Sequence, residues 1–175
     1  MNSVQKKLST ILLAFAGFSG ILYAQKYQRS FYGEESFRNP IQIPVEVSEK
    51  LKRDWQGRGC SDSNEQFSTS WFEATRINLN DDKFPDLLIK AKDPNHCFNG
   101  NAISFWVFAN RGGKFNQVFY AYTLSFEVTN IRSKNYFDLW TGRCTASICF
   151  NRSFTFNGQE YAKTREWEEP VRPGK

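Results

Sequence analysis

The stretch Ala-Ile-Ser-Phe-Trp-Val-Phe-Ala at residues 102–109 carries large apolar groups on both of its faces, because Ile103, Phe105 and Val107 alternate with Ser104, Trp106 and Phe108. A strand patterned in this way can turn neither face to water, so it must lie inside a sheet that is covered on both sides. The rest of the chain therefore has to supply one layer above this strand and one below it.

One cover is legible upstream. Pro44 opens a segment at 45–55 in which Val47, Leu51 and Trp55 recur every fourth residue, as on one face of a helix, while Lys50, Lys52, Arg53 and Asp54 fall mostly elsewhere. Gly57 and Gly59 close it just before Cys60. After Cys60 the period becomes strand-like, with β-branched and aromatic runs between turn signals. These runs predict strands at 70–79, 86–91, 102–109, 117–125, 127–131, 136–140, 152–156 and 160–167. Asn110-Arg111-Gly112-Gly113 supplies a turn, and Asn157-Gly158 is a strong hairpin signal. Residues 25–44 read as an extended, irregular lead-in, with an edge strand as the alternative, and the charged stretch 168–175, with Pro170 and Pro173, as a flexible tail. The expected fold is α+β: a mainly antiparallel β-sheet or small barrel with one N-terminal amphipathic helix, disulfide-braced, in a single domain at 45–167.

Residues 1–24 read as an address rather than as part of that domain. Lys6 and Lys7 precede an uncharged apolar run at 11–22, and Leu22-Tyr23-Ala24 ends on a small residue, the layout of a secretory signal peptide. The alternative is an uncleaved helical anchor, but the apolar stretch falls short of the roughly 20 residues that span a bilayer. Gly17, Ser19 and Gly20 also weaken it as a helix. The expected location is the periplasm or the exterior, without stable membrane insertion once the leader is removed. In such an oxidising compartment Cys60, Cys97, Cys144 and Cys149 are an even set expected to form disulfides. Four cysteines allow three pairings. Cys144 and Cys149 enclose only four residues and suit a tight hairpin, which leaves Cys60 for Cys97. Zinc is disfavoured, since the spacing lacks paired Cys-x2-Cys knuckles.

The segment Asn78-Leu79-Asn80-Asp81-Asp82-Lys83-Phe84-Pro85-Asp86 has ligand-like spacing. Asn78, Asn80, Asp82 and Asp86 place side-chain oxygens at the first, third, fifth and ninth positions of a loop, with the Phe84 carbonyl at the seventh, an oxygen set that suits calcium. It resembles the Asp-x-Asp/Asn-x-Asp-Gly-x-x-Asp loops of FG-GAP and VCBS-type secreted repeats, in which the loop joins two strands. That resemblance implies a calcium site here. Asn78 stands for the usual first carboxylate and Lys83 for the glycine of the turn, so weak affinity is implied. The other reading of the same residues is a metal-free loop whose Asn and Asp side chains cap backbone groups. A more diffuse likeness, from Trp71-Phe72 through this loop to Phe105-Trp106-Val107-Phe108, is to small bacterial exported domains, and it implies compartment and fold rather than activity.

Catalytic machinery is hard to assemble from the remainder. His96 is the only histidine and adjoins Cys97, so a Ser-His-Asp or Cys-His system would have to centre on it. Paired carboxylates for sugar hydrolysis would have to come from Glu73, Asp81, Asp82, Asp86, Glu127 and Asp138, and the sequence sets no separation among them. The formal net charge of +5, two of it from the leader lysines, is scattered rather than gathered into the strip expected of a nucleic-acid binder. The 17 Phe, 7 Tyr and 5 Trp mostly belong to a core, but Tyr120, Tyr122, Tyr136, Trp140 and Trp167 sit beside polar residues and suit an interface. The expectation is a non-catalytic exported binding module, of an inhibitor or immunity type, for an envelope protein or glycan. The alternatives are a calcium-stabilised adhesion domain and a two-carboxylate envelope hydrolase.

Overall fold

A computed structural model describes residues 27–57, 66–92 and 102–171. The leader at 1–24, the Cys60 and Cys97 pair, His96 and residues 172–175 lie outside the described residues. The architecture is α+β and mostly antiparallel β. The chain order is β1 (Ser30–Tyr32), β2 (Pro40–Ile41), α1 (Val45–Gly57), a single 3-10 turn (Thr69–Trp71), β3 (Phe72–Ile77), β4 (Asp86–Ala91), β5 (Ile103–Arg111), β6 (Lys114–Thr123), β7 (Ser125–Ser133), β8 (Tyr136–Cys144), β9 (Ile148–Phe156) and β10 (Tyr161–Pro170).

The strands form two five-stranded sheets. One has the order β2-β3-β4-β5-β6 and the other β1-β7-β8-β9-β10, with every neighbouring pair antiparallel. Strand β5 is covered on both sides, as its two-faced pattern requires. Phe105, Val107 and Ala109 point into the core between the sheets, with Leu88 of β4, Phe119 of β6 and Phe126, Leu139 and Phe156 of the second sheet. Trp106 and Phe108 point the other way, onto Val47, Leu51 and Trp55 of α1. The layers therefore run helix, sheet, sheet. Stacking of Phe105 on Phe126, with ring centres 5.9 Å apart and planes at 16°, joins the two sheets across the core.

Two segments depart from the sequence reading. The lead-in is not wholly irregular: Phe31 of β1 pairs with Phe126 of β7 and fills the core, and Pro40-Ile41 pairs with β3. Strands of three and two residues are too short to show a period. At the other end the chain does not leave the sheet at Glu168, because Glu168, Glu169 and Pro170 pair with Phe150, Cys149 and Ile148. Their side chains are exposed and include two charged glutamates, so the backbone ladder chiefly holds them, and no apolar pattern announces it. The turns follow local chemistry. Gly112 and Gly113 have φ of 68° and 95°, and Lys134 and Asn135 take φ of 50° and 68° in the equivalent two-residue link between β7 and β8. Cys144 and Cys149 form the expected disulfide beside the turn of the β8–β9 hairpin.

A sheet buried on both faces must satisfy every polar group placed on it. Lys90 of β4 is 3% exposed, and its ammonium donates to the carbonyls of Gly33, at 3.0 Å, and Glu35. It also lies 3.6 Å from the Glu73 carboxylate and 5.0 Å from the centre of the Phe37 ring. Burial lowers its pKa, against the opposing pull of Glu73. This one cation ties the link between β1 and β2 to the sheet. Lys90→Met leaves Glu73 buried without a counter-charge and is expected to cost about 3 kcal/mol, read from the urea midpoint. Adding Glu73→Leu should restore part of the loss; an unchanged midpoint in Lys90→Met would contradict this role.

Candidate binding cleft

The second sheet is longer than the core it faces. On β8, Phe137 and Leu139 point into the core, and Thr141 and Arg143 continue the same face toward the disulfide. On β9, Phe156 and Phe154 give way in the same manner to Arg152 and Phe150. The register aligns these steps, with Leu139 opposite Phe154, Thr141 opposite Arg152 and Arg143 opposite Phe150. Lys163 of β10 lies opposite Phe154. Across from this face runs the end of β6, whose last residues approach β8 where the Leu124 amide and the Thr123 hydroxyl both donate to the Gly142 carbonyl. The strands diverge from that corner and leave an open cleft of about 430 Å³, lined by Tyr120, Ala121, Tyr122, Thr123, Thr141, Arg143, Phe150, Arg152, Phe154 and Lys163.

Three cations and no acid line this cleft. Arg143 sits 5.7 Å from the Phe150 ring centre. Arg152 and Lys163 share Glu166, at 2.8 and 2.6 Å, and the hydrogen bond from Lys163, then that from Arg152, holds this exposed carboxylate below its ordinary pKa. The Tyr120 hydroxyl bonds Ser104 and its ring packs on Trp106, and the Tyr122 hydroxyl accepts from the Ala102 amide, so both rings are fixed on the face of β6 that carries Trp106, at the edge of the cleft. Its size of a few hundred Å³ is in the range of ligand sites, and its wall is more polar than apolar, with the cations converging on it. A second hollow of about 510 Å³ is lined by residues between Tyr27 and Asn39, with Arg29, Arg38 and Glu35 mixing both signs.

The five aromatic candidates do not share one surface. Tyr120 and Tyr122 line the cleft. Tyr136 is half-buried and stacks on Phe156 with ring centres 4.0 Å apart. Trp140 lies on the opposite face of the sheet, over Gly142, where an added Cβ would fall 2.4 Å from its ring. Trp167 bonds Glu169 and packs near Arg165 on that same opposite face, on the rung of Asn151 and Gly142. Sequence reasoning missed Arg143, Phe150, Arg152, Phe154 and Lys163. The signal was the alternation Phe150-x-Arg152-x-Phe154-x-Phe156, in which an arginine takes an inward position in an aromatic row.

The Asn78–Asp86 loop turns its oxygens inward. Asn78 Oδ1 accepts from the amides of Asn80 and Asp81, Asn80 Oδ1 from Asp82, and Asp82 Oδ1 from Phe84. Asp81 pairs with Arg132. Asp86 is 1% exposed and accepts from the Leu79 amide at 2.8 Å and the Asn110 amide at 2.9 Å. These bonds occupy the oxygens that a cation would need. Among the described residues no group of three or more His, Cys, Asp or Glu is arranged to hold a metal ion. The residues thus fit capping better than calcium coordination. The carboxylates considered for hydrolysis are also dispersed: Glu73 pairs with Lys90, Asp86 is buried, and Asp138 is buried with Oδ1 lacking a hydrogen-bond partner among the described residues.

No family model matches this chain, and no curated protein or solved structure matches it significantly.

Two measurements check the loop. Calcium titrated into chelator-treated protein is expected to produce no heat and no shift in melting temperature; a saturable exotherm abolished by Asp82→Ala would restore the metal reading. Burial pushes the Asp86 carboxyl up to about 6 from 3.8, against the lowering effect of the Asn110 and Leu79 amides. A carboxyl whose pKa is raised on folding binds its extra proton in the folded state, so its stabilisation is full below about 3.8 and is lost as pH rises through about 6. That difference corresponds to about 3 kcal/mol. The stability advantage of the wild type over Asp86→Asn should therefore shrink between about pH 4 and pH 7; an advantage that grows over that interval would refute the assignment.

Proposed function

We propose that this chain is an exported, non-catalytic binding module, of the inhibitor or immunity type, that holds an envelope partner in the cleft between the end of β6 and the β8–β10 face. One observation carries the reading. The second sheet keeps its inward pattern beyond the core, but there Arg143, Arg152 and Lys163 take inward positions beside Phe150 and Phe154. Cations set among fixed rings serve recognition, since aromatic and arginine side chains dominate binding energy at protein interfaces. A core would not need them. Export is supported by the Cys144–Cys149 disulfide, a bond that persists in oxidising compartments, and by the leader-like pattern of residues 1–24.

The test compares the two faces of one sheet. Purified exported protein is expected to bind an envelope fraction saturably, and Tyr122→Ala combined with Arg143→Ala should weaken that binding by about tenfold or more. Arg165→Ala combined with Trp167→Ala, on the opposite face, should leave it unchanged. Absence of saturable binding, or equal losses from both pairs, would overturn the proposal.

A further inference from the structure

Beyond the core, the inner face of β8, β9 and β10 is a grid of three rungs. The register sets Leu139, Phe154 and Lys163 on the first, Thr141, Arg152 and Glu166 on the second, and Arg143, Phe150 and Glu168 on the third. The three cations therefore lie on its diagonal. Each step, from Arg143 to Arg152 and from Arg152 to Lys163, crosses one strand and advances one rung, about 8 Å at the backbone. Glu166 and Glu168 sit on β10, at the side of the grid, and Glu166 holds both Arg152 and Lys163. Arg143 is two strands from Glu168, about 10 Å at the backbone, and its guanidinium lies by the Phe150 ring without an acid partner among the described residues. Along β9 the face alternates ring, cation and ring, with Phe150 and Phe154 half-buried on either side of Arg152.

A ligand on this face meets side chains only, because the backbones of β8, β9 and β10 are spent on their own ladders. A peptide laid there would find no partners for its amides. Cations on a diagonal suit a chain with spaced anions, and the rings between them suit flat apolar faces; linked sugar rings that carry carboxylates supply both. Two further observations disfavour a protein surface as the occupant. Ten residues line the cleft, whereas a stable protein interface takes about 20–30 a side. Large exposed apolar residues do not gather around it either, since of Tyr32, Val45, Tyr122, Ile131, Ile148 and Val171 only Tyr122 lines it. From this geometry, and resting on the binding reading above, we infer that the cleft takes an acidic oligosaccharide, a short stretch of carboxylate-bearing glycan laid along the diagonal from Arg143 toward Lys163. Arg143 and Arg152 each offer a planar fork of N–H donors to a carboxylate, and Phe150 and Phe154 receive the apolar faces of sugar rings. Glu166 keeps Arg152 and Lys163 in place until the ligand competes for them. An inhibitor of this kind acts by covering a polysaccharide rather than by plugging an enzyme.

The probes are hexasaccharides of hyaluronan, with a carboxylate on every second sugar, and of polygalacturonate, with one on every sugar, each titrated by calorimetry into the full protein. At least one is expected to bind saturably, and its methyl ester, which keeps the rings and removes the charge, about tenfold or more weakly. Arg143→Ala should cost a similar factor. Phe150→Ala should weaken the glycan by about fivefold or more through lost ring contact. Glu166→Gln, an exposed substitution, should strengthen it by about two- to fivefold, as expected from releasing a surface ion pair. Equally tight binding of tripolyphosphate or of a triglutamate peptide would show a plain anion site and would overturn the inference, as would equal binding of the methyl ester or no saturable binding of either hexasaccharide. If envelope binding through Tyr122 and Arg143 persists while both hexasaccharides fail, the cleft remains a binding site and only its occupant is wrong; loss of both removes the site itself.

Discussion

Burial of the β2–β6 sheet on both faces is the constraint from which the remaining features follow. Once α1 covers one side and the second sheet the other, a polar side chain on a central strand has no water to turn to, and an unmet buried group costs about 1–3 kcal/mol. Several such groups are met by segments outside the sheet's strands. Lys90 takes the carbonyls of Gly33 and Glu35, Asp86 the amides of Leu79 and Asn110, Thr75 the Asn39 carbonyl, and Trp106 the Asp54 carboxylate. The loops are thereby fixed from the inside. The lead-in, the Asn-Asp loop, the β5–β6 turn and the helix are each anchored by a polar group that the sheet cannot leave unpaired.

This explains the Asn78–Asp86 loop without appeal to a ligand. Asp86 is drawn into the sheet, where its carboxylate holds the Leu79 and Asn110 amides at once. Asn78, Asn80 and Asp82 then close successive turns on their own neighbours, and Asp81 takes φ of 57° and reaches Arg132. The spacing of the oxygens is the same for both purposes, because turn capping and metal coordination demand the same short polar side chains at alternate positions.

What could be read from the chain, and what could not, divides along the same line. The two-faced alternation at β5, the four-residue period of Val47, Leu51 and Trp55, and the Cys144–Cys149 hairpin were legible because each is a local pattern with one physical meaning. The end of β10 and the brief β1 and β2 were not, because backbone pairing holds them and their side chains show no period. The cleft was legible only in part. Tyr120 and Tyr122 stand out as amphipathic rings, but the cations that line the same cleft come from β8, β9 and β10, and only the register brings Arg143, Arg152 and Lys163 to one side. An arginine in an alternating aromatic strand reads equally as an outward residue or as an inward one beyond the core, and the local pattern does not say where the core stops.

The disulfide sits where that core has stopped. Between Leu139 and Cys144 the β8–β9 hairpin passes from a packed interior to an open cleft, so burial no longer holds its two strands together. Cys144 and Cys149 close it there, one residue beyond Arg143 and one before Phe150. A short-loop bridge contributes about 2 kcal/mol in the loop-entropy model, a modest share of a domain's stability, and it is placed where β8 and β9 leave the core. Its effect is thus local: it fixes the position of the cleft's arginine and phenylalanine in place of a core. The oxidised state of the two cysteines is then a condition of the cleft's shape as much as of the fold.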